Sequence, residues 1–175
     1  RSPVASALLP EKDLEKVLPG LGLKKEDIAD INLSRWGHPL VQSRPGQLAD
    51  GRPVSLESTL REAGGKPLLL YVWSSTCPIC RAEEGTISAL AEDWPVLTLA
   101  MQSGNAEAVA KFMQERKLAY PALVDARGEI AWSLGVRATP AWFVVDRNRA
   151  IRFSGMGYTT GWGLRARLWW AQAFA

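Results

Sequence analysis

The sequence predicts an α/β fold, strands interleaved with helices and closed by an antiparallel hairpin, on three observations. Leu68-Leu69-Leu70-Tyr71-Val72-Trp73 is an unbroken apolar run of strand length, as a strand covered on both faces requires. Such runs alternate with helix-length stretches whose apolar residues recur every three or four positions. A pair of short apolar segments around Arg147-Asn148 then supplies the closing hairpin. The 175 residues suit one domain, and with 47% apolar and 22% charged residues they can bury a core.

Residues 1–45 differ in texture from the rest of the chain. Glu11 to Val17 and Lys24 to Ile31 are short, charged, helix-capable stretches separated by Pro19-Gly20 and Gly22, and Pro39 and Pro45 close the segment. They read as an N-terminal extension or linker, leaving residues 46–175 as the folded domain. Gln47-Leu48-Ala49 and Pro53-Val54-Ser55-Leu56 flank Asp50-Gly51, an N-terminal hairpin signal. After the apolar strand 68–73, a helix is predicted from Pro78 to Asp93, with Ile87, Leu90 and Trp94 on one face. Val96 to Met101 is the next strand, and a helix over Asn105 to Lys117 carries Ala106, Val109, Ala110 and Met113 on one side. Tyr120 to Val124 is a third strand, and a short helix from Glu129 to Leu134 ends at Gly135. Trp142 to Asp146 and Ala150 to Ser154 form the hairpin, and a last helix over Thr160 to Ala173 stacks Leu164, Leu168 and Ala171.

Charge and cysteine content narrow the function classes. The balance of 21 basic and 18 acidic residues, net +3, is too mild for a nucleic-acid protein, although six arginines and one acid follow Glu129. The longest uninterrupted apolar run is far short of a bilayer span. The chain opens on Arg1 and not on Met, which reads as a processed or truncated product. Two cysteines, Cys77 and Cys80, exclude both a disulfide-stapled scaffold and a four-cysteine zinc site. Redox chemistry or a lone two-thiolate metal site remain.

The pair sits where a buried strand gives way to a helix. Pro78 suits the first helical position, where a missing N–H costs nothing, and this makes Cys77 the N-cap residue. The free N–H groups of the first turn and the helix dipole then favour the Cys77 thiolate. Cys80 lies one turn further in, close enough to attack a mixed disulfide on Cys77 yet more shielded. The bland alternative, a pair of inert core cysteines, is disfavoured by this spacing and placement.

The segment Trp73-Ser74-Ser75-Thr76-Cys77-Pro78-Ile79-Cys80-Arg81-Ala82-Glu83 resembles the active-site segment of thioredoxin-like proteins, in particular the membrane-tethered bacterial TlpA/ResA type. Val136-Arg137-Ala138-Thr139-Pro140 is similar to the loop whose cis-proline faces the cysteines in that family. The ending Gly161 to Ala171, rich in tryptophan and arginine, is similar to the suppressor-of-copper-sensitivity D (ScsD) subgroup. The resemblance covers residues 46–175 and implies a thioredoxin-like fold, a central mixed sheet flanked by helices. It implies Cys77 as nucleophile, Cys80 as resolving cysteine, Thr139 and Pro140 as the substrate-docking loop, and Trp73 packed under the site. With Trp73, the residues Thr76, Pro78 and Ile79 complete the expected substrate-binding set. Thioredoxin's buried aspartate is Tyr71 here, so Glu83 becomes the residue expected to handle protons. Gly85 replaces the helix-kinking proline, and Ala141 stands where cytochrome-c-maturation thioredoxins carry glutamate. Ile79 lacks the histidine that stabilises the thiolate in DsbA-type oxidants, which favours a reducing or intermediate potential.

The function implied is a periplasmic protein-disulfide oxidoreductase acting in the reductase direction, without a cofactor, with electrons from a DsbD-type membrane donor. A monomer tethered by an N-terminal transmembrane segment absent from this chain is implied with it. The alternative class is a Cu(I)-binding module in copper handling, since soft thiolates suit that ion. Met101 and Met156 form no copper-binding spacing, and the lone His38 is the simplest kind of loop histidine. A peroxidase reading is weaker, because Ser74 stands where peroxiredoxin-like motifs place threonine. Most of the eight tryptophans are expected in the core, the rest at a partner or membrane surface, and the late arginines on a solvated face.

Overall fold

The computed structural model describes residues 46–174. The reading of 1–45 as an extension, and His38 with it, lies outside the described residues. The described chain begins with a two-stranded antiparallel ribbon, β1 (Gly46–Gln47) and β2 (Pro53–Val54), turning at Gly51 with φ +88°. The expected hairpin is present, but its second arm stops early. Ser55 caps a helix, α1 (Leu56–Glu62), by accepting from the Ser58 N–H at 3.0 Å while Ser58 Oγ accepts from the Ser55 N–H. That reciprocal box, built with serine in place of the usual glutamate, turns Leu56 from a strand residue into a helical one.

Five further strands form one mixed sheet in the order β5-β4-β3-β6-β7. They are β3 (Leu68–Trp73), β4 (Val96–Met101), β5 (Ala122–Asp125), β6 (Ala141–Val145) and β7 (Ile151–Met156). β3 runs parallel to β4 and β4 to β5, whereas β6 lies antiparallel to both β3 and β7. Leu48 bridges to Leu123, so the N-terminal ribbon lies at the β5 edge.

The helices lie on both faces and explain why β3 and β4 are apolar at nearly every position. Tyr71 and Trp73 point to the face covered by α2 (Pro78–Asp93), α3 (Ala106–Glu115) and α5 (Gly161–Phe174). Leu68, Leu70 and Val72 point to the other, where Leu60 of α1 and Ala131 of α4 (Glu129–Ser133) pack. Each fully buried leucine contributes about 1.5–3 kcal/mol relative to an exposed one. The bounds of α2, β3 and β4 match the sequence expectation. The third helix is shorter than expected because Asn105 is its cap, accepting from the Ala108 N–H, and the chain turns left-handed at Lys117. Tyr120 precedes β5 instead of opening it.

One expectation about surface residues is corrected. Of the seven tryptophans described, Trp132, Trp162, Trp169 and Trp170 are exposed, and only Trp73 and Trp142 are fully in the core. The last helix buries one narrow stripe, Leu164, Leu168 and Ala171, and leaves its tryptophans on other faces. There Trp169 and Trp170 lie against Phe174, and Trp170 against Phe153. The late arginines lie at the surface as expected, exposed or half-exposed, and several of them are engaged there. Arg149 pairs with Glu57, Arg152 with Asp146 and Arg165 with Asp93, while Arg167 lies over the Trp142 ring.

The β6–β7 hairpin is organised by one carboxylate. Asp146, fully buried, accepts from the Asn148 N–H at 2.8 Å, the Ala150 N–H at 2.9 Å and Arg152 Nε at 2.6 Å. A register shift between Val144 and Val145 brings Arg152 to it. Asp146→Ala leaves the buried Ala150 N–H and the guanidinium without their acceptor, and is expected to cost about 2–3 kcal/mol. Urea unfolding monitored by far-UV circular dichroism reads this directly; an unchanged midpoint would show that water replaces the carboxylate.

Candidate active site

The turn from β3 into α2 places the two cysteines. Cys77 is the N-cap of α2, with φ −87° and ψ 113°, and Pro78 occupies the first helical position. Its Sγ accepts the Cys80 N–H at 3.1 Å, so an otherwise unsatisfied donor of the first turn points at sulfur. The two cysteines are joined as a disulfide with Cα atoms 5.3 Å apart. Both residues are largely shielded, Cys77 at 8% exposure and Cys80 at 4%. The preceding loop is fixed by Ser75, whose N–H donates to Ser103 Oγ and whose carbonyl accepts from Arg81.

The Thr139–Pro140 bond is cis, and the Thr139 carbonyl oxygen lies 3.5 Å from Cys77 Sγ. The Pro140 carbonyl accepts the Gly157 N–H at 2.8 Å, which ties this loop to the end of β7. Thus two segments 62 residues apart in sequence meet at the sulfur. Around them Thr76, Pro78 and Ile79 are exposed, Thr139 is half-buried and Pro140 is buried. Ile79 is 45% exposed, an apolar side chain held beside the disulfide at the surface.

Trp73 lies beneath, buried at 3% exposure. Its ring stacks on Phe112 at 5.4 Å, and its Nε1 donates to Thr98 Oγ1 at 2.9 Å. Thr98 in turn donates to the Pro121 carbonyl. The expected place of Trp73 in the substrate-binding set is therefore corrected: its burial leaves it no surface for a substrate, and it supports the site from inside.

Glu83 is fully buried one turn along α2 from Cys80. Its Oε2 accepts from Tyr71 Oη at 2.7 Å and its Oε1 from the Thr159 N–H at 2.5 Å. Both donors are neutral. Burial, and then the hydrogen bond and charge of Glu83, push the Tyr71 phenol far above its ordinary range, so it remains a donor at neutral pH. The sequence marks Tyr71 only as the loss of a proton acceptor, whereas in the fold it is the partner of Glu83. Thr98 and Phe112 as supports of Trp73, and the Thr159 amide, are likewise absent from the sequence-based expectation. Tyr71 and Trp73 alternate on one face of β3, the strand that leads into the cysteines, and that period-2 pattern is the available signal for Tyr71. The Thr159 contact spans 76 residues and has no local signal.

The AhpC/TSA family is matched over residues 42–154, a stretch that includes both cysteines and the cis-proline loop. The chain belongs to the AhpC/TSA family. A thioredoxin-like protein of Haemophilus influenzae is 31% identical to this AhpC/TSA-family chain over 125 residues, 71% of the chain and 72% of that relative. The thiol:disulfide interchange protein DsbE of Yersinia pestis is 31% identical over 145 residues, covering 82% and 73%. Among solved structures, StoA from Bacillus subtilis superposes with a TM-score of 0.59 at 21% identity, covering 70% of this chain and 93% of that one. That last likeness is one of fold. With its Cys77-x-x-Cys80 pair, this AhpC/TSA-family member is a thiol–disulfide oxidoreductase of thioredoxin-like type.

Proposed function

We propose that Cys77 is the attacking thiol of a protein-disulfide reductase. One observation carries this: the N-cap sulfur accepts a helix N–H on one side and abuts the Thr139 carbonyl on the other. In the reduced protein that N–H and the helix dipole stabilise the thiolate. The thiolate attacks one sulfur of a substrate disulfide, forming a mixed disulfide and releasing the first substrate thiolate. Cys80 then attacks Cys77 Sγ, releasing the second substrate thiol and leaving Cys77–Cys80 oxidised. Two electrons and two protons pass from the dithiol to the substrate. An extended substrate segment docks along Thr139 and Pro140, with Thr76, Pro78 and Ile79 as the opposing surface. Glu83, held by Tyr71 one turn along α2 from Cys80, is the residue assigned to the Cys80 proton. Trp73 acts from below, by packing.

The resemblance to the TlpA/ResA type supports an extracytoplasmic monomer recharged by a membrane donor of the DsbD type, and the ending of the chain supports an ScsD-like member. No helix among the described residues is long and apolar enough to cross a membrane, so a tether would lie elsewhere. The exposed rings of Trp169, Trp170 and Phe174 are the surface such a reading assigns to a membrane face. The Cu(I) alternative rests on the two cysteine sulfurs alone, since among the described residues no three of His, Cys, Asp or Glu gather as a metal set.

The deciding experiment is a glutathione titration of the Cys77–Cys80 couple followed by tryptophan fluorescence, with Trp73 as reporter. A value near thioredoxin's, about −270 mV, supports the reductase. A value near DsbA's, about −120 mV, reverses the electron flow and removes Ile79 as the determinant of the potential. Absence of any reversible couple, with tight stoichiometric Cu(I) binding, would replace the reading by metal binding.

A further inference from the structure

Two arginines, one following the cysteines on α2 and one preceding the cis-proline, differ from most others in what they face. Arg52, Arg116, Arg127, Arg149, Arg152 and Arg165 each pair with a carboxylate. Among the described residues Arg81 and Arg137 have no such partner, as Arg61, Arg147 and Arg167 have none, but only these two adjoin the cysteines or the cis-proline loop in sequence. Arg81, in the first turns of α2, donates only to the Ser75 carbonyl at 2.9 Å. Arg137 holds its guanidinium carbon 4.8 Å from the centroid of the Trp132 ring, and both side chains are exposed. Arg137 lies two residues before Thr139, whose carbonyl is 3.5 Å from Cys77 Sγ. Two residues of extended chain span at most about 7 Å, so the Arg137 backbone stands at the edge of the proposed docking loop.

The nearby carboxylates are already engaged. Glu83 is buried on Tyr71 and Thr159, Glu84 pairs with Arg116, and Asp125 caps α4 through the Ile130 and Ala131 N–H groups. One cation without a carboxylate partner thus stems from α2, four residues after Cys77, and another from the chain two residues before Thr139 of the docking loop. Stacking on Trp132 restricts the Arg137 rotamers while leaving its planar N–H fork open toward solvent. A carboxylate is the group that such a fork recognises in bidentate fashion.

We propose that Arg137, assisted by Arg81, is a specificity-determining residue that selects disulfide substrates carrying an Asp or Glu next to the attacked cysteine. This rests on the reading of Cys77 as the attacking thiol, with the substrate segment along Thr139 and Pro140. The partner is an acidic, extended, disulfide-bearing polypeptide segment. An exposed ion pair of ordinary strength gives about a two- to fivefold preference, and replacing attraction by repulsion widens it to roughly tenfold.

The test uses the full chain, pre-reduced to two titratable thiols, and two synthetic peptides, each with one disulfide loop. The peptides differ only in Glu or Lys at the positions flanking the attacked cysteine. Each second-order reduction rate is divided by that peptide's rate with dithiothreitol, which removes the peptide's intrinsic reactivity. The Glu peptide is expected to react roughly tenfold faster at low salt, and the ratio to shrink toward one at 1 M salt, where the screening length is about 3 Å. Arg137→Gln should cut the low-salt ratio at least by half, Arg137→Lys should restore part of it, and Arg81→Gln should act in the same direction. Equal normalised rates for the two peptides, or a ratio untouched by Arg137→Gln, would overturn the proposal while leaving Cys77 as the attacking thiol. Reduction of neither peptide by a protein with two free thiols would overturn the underlying reading as well.

Discussion

Cys77→Ser is expected to bring the reduction of insulin disulfides down to the rate of the uncatalysed mixture, whereas Cys80→Ser is expected to trap substrate. The difference comes from the geometry at the N-cap. Only Cys77 has a sulfur that receives the Cys80 N–H and abuts the docking loop, and serine there offers a hydroxyl that does not ionise near neutral pH. Cys80 is the more deeply shielded of the two, so its loss leaves the first attack intact and removes the second. Cys80→Ser should therefore accumulate covalent adducts, visible on non-reducing gels and cleaved by dithiothreitol. Mass spectrometry of those adducts identifies substrates and shows whether acidic residues flank the captured cysteine. Retained insulin reduction in Cys77→Ser would contradict the assignment outright.

The second large effect lies at Glu83. Glu83→Ala empties a fully buried position and leaves the Tyr71 hydroxyl and the Thr159 N–H without their acceptor. A cavity and the orphaned Tyr71 hydroxyl, the fully buried one of the two donors, together make a loss of about 3–4 kcal/mol the expected result in urea unfolding. Glu83→Gln keeps the volume but cannot accept a proton. In that variant resolution of a preformed mixed disulfide by Cys80 should slow while the urea midpoint is kept, which a purely structural role for Glu83 would not produce. Tyr71→Phe separates holding from proton transfer. Because folding raises the Tyr71 pKa above the unfolded value of about 10, its stabilising contribution is complete below that pH. It is lost as pH climbs beyond, and Tyr71→Phe should flatten that alkaline decline. Equal alkaline slopes in wild type and Tyr71→Phe would show that the phenol is not held by Glu83.

The sheet is legible from sequence because its central strands are buried on both faces and therefore carry no alternation to misread. Leu68–Trp73 and Val96–Met101 are bounded by Pro, Ser and Gln, and the structure ends both strands at those residues. The cysteine turn is legible because proline and N-cap chemistry act within four residues. The first helix is not, since its cap uses Ser58 where the familiar pattern has glutamate, and strand-like Pro53-Val54 runs straight into it. The tryptophans mislead for a different reason. Their number argues for burial, but a helix of 14 residues against one sheet face can bury only the stripe that Leu164, Leu168 and Ala171 already fill. Burial of the carboxylates is equally hidden, because one side of Asp146 and one side of Glu83 are satisfied by backbone amides that have no letter in the sequence.

One of those amides sets how much chain the cysteine site needs as a physical object. The stretch shared with the family closes at residue 154, yet the second donor to Glu83 is the Thr159 N–H, and α5 packs beyond it. Arg165 of that helix reaches back to Asp93 and the Ala89 carbonyl on α2. A chain cut at the family boundary would keep both cysteines and the cis-proline while exposing the carboxylate and baring the flank of the helix that carries the cysteines. The smallest autonomous version of this enzyme is thus longer than the matched stretch, and the residues of α5 belong to its inventory of working parts.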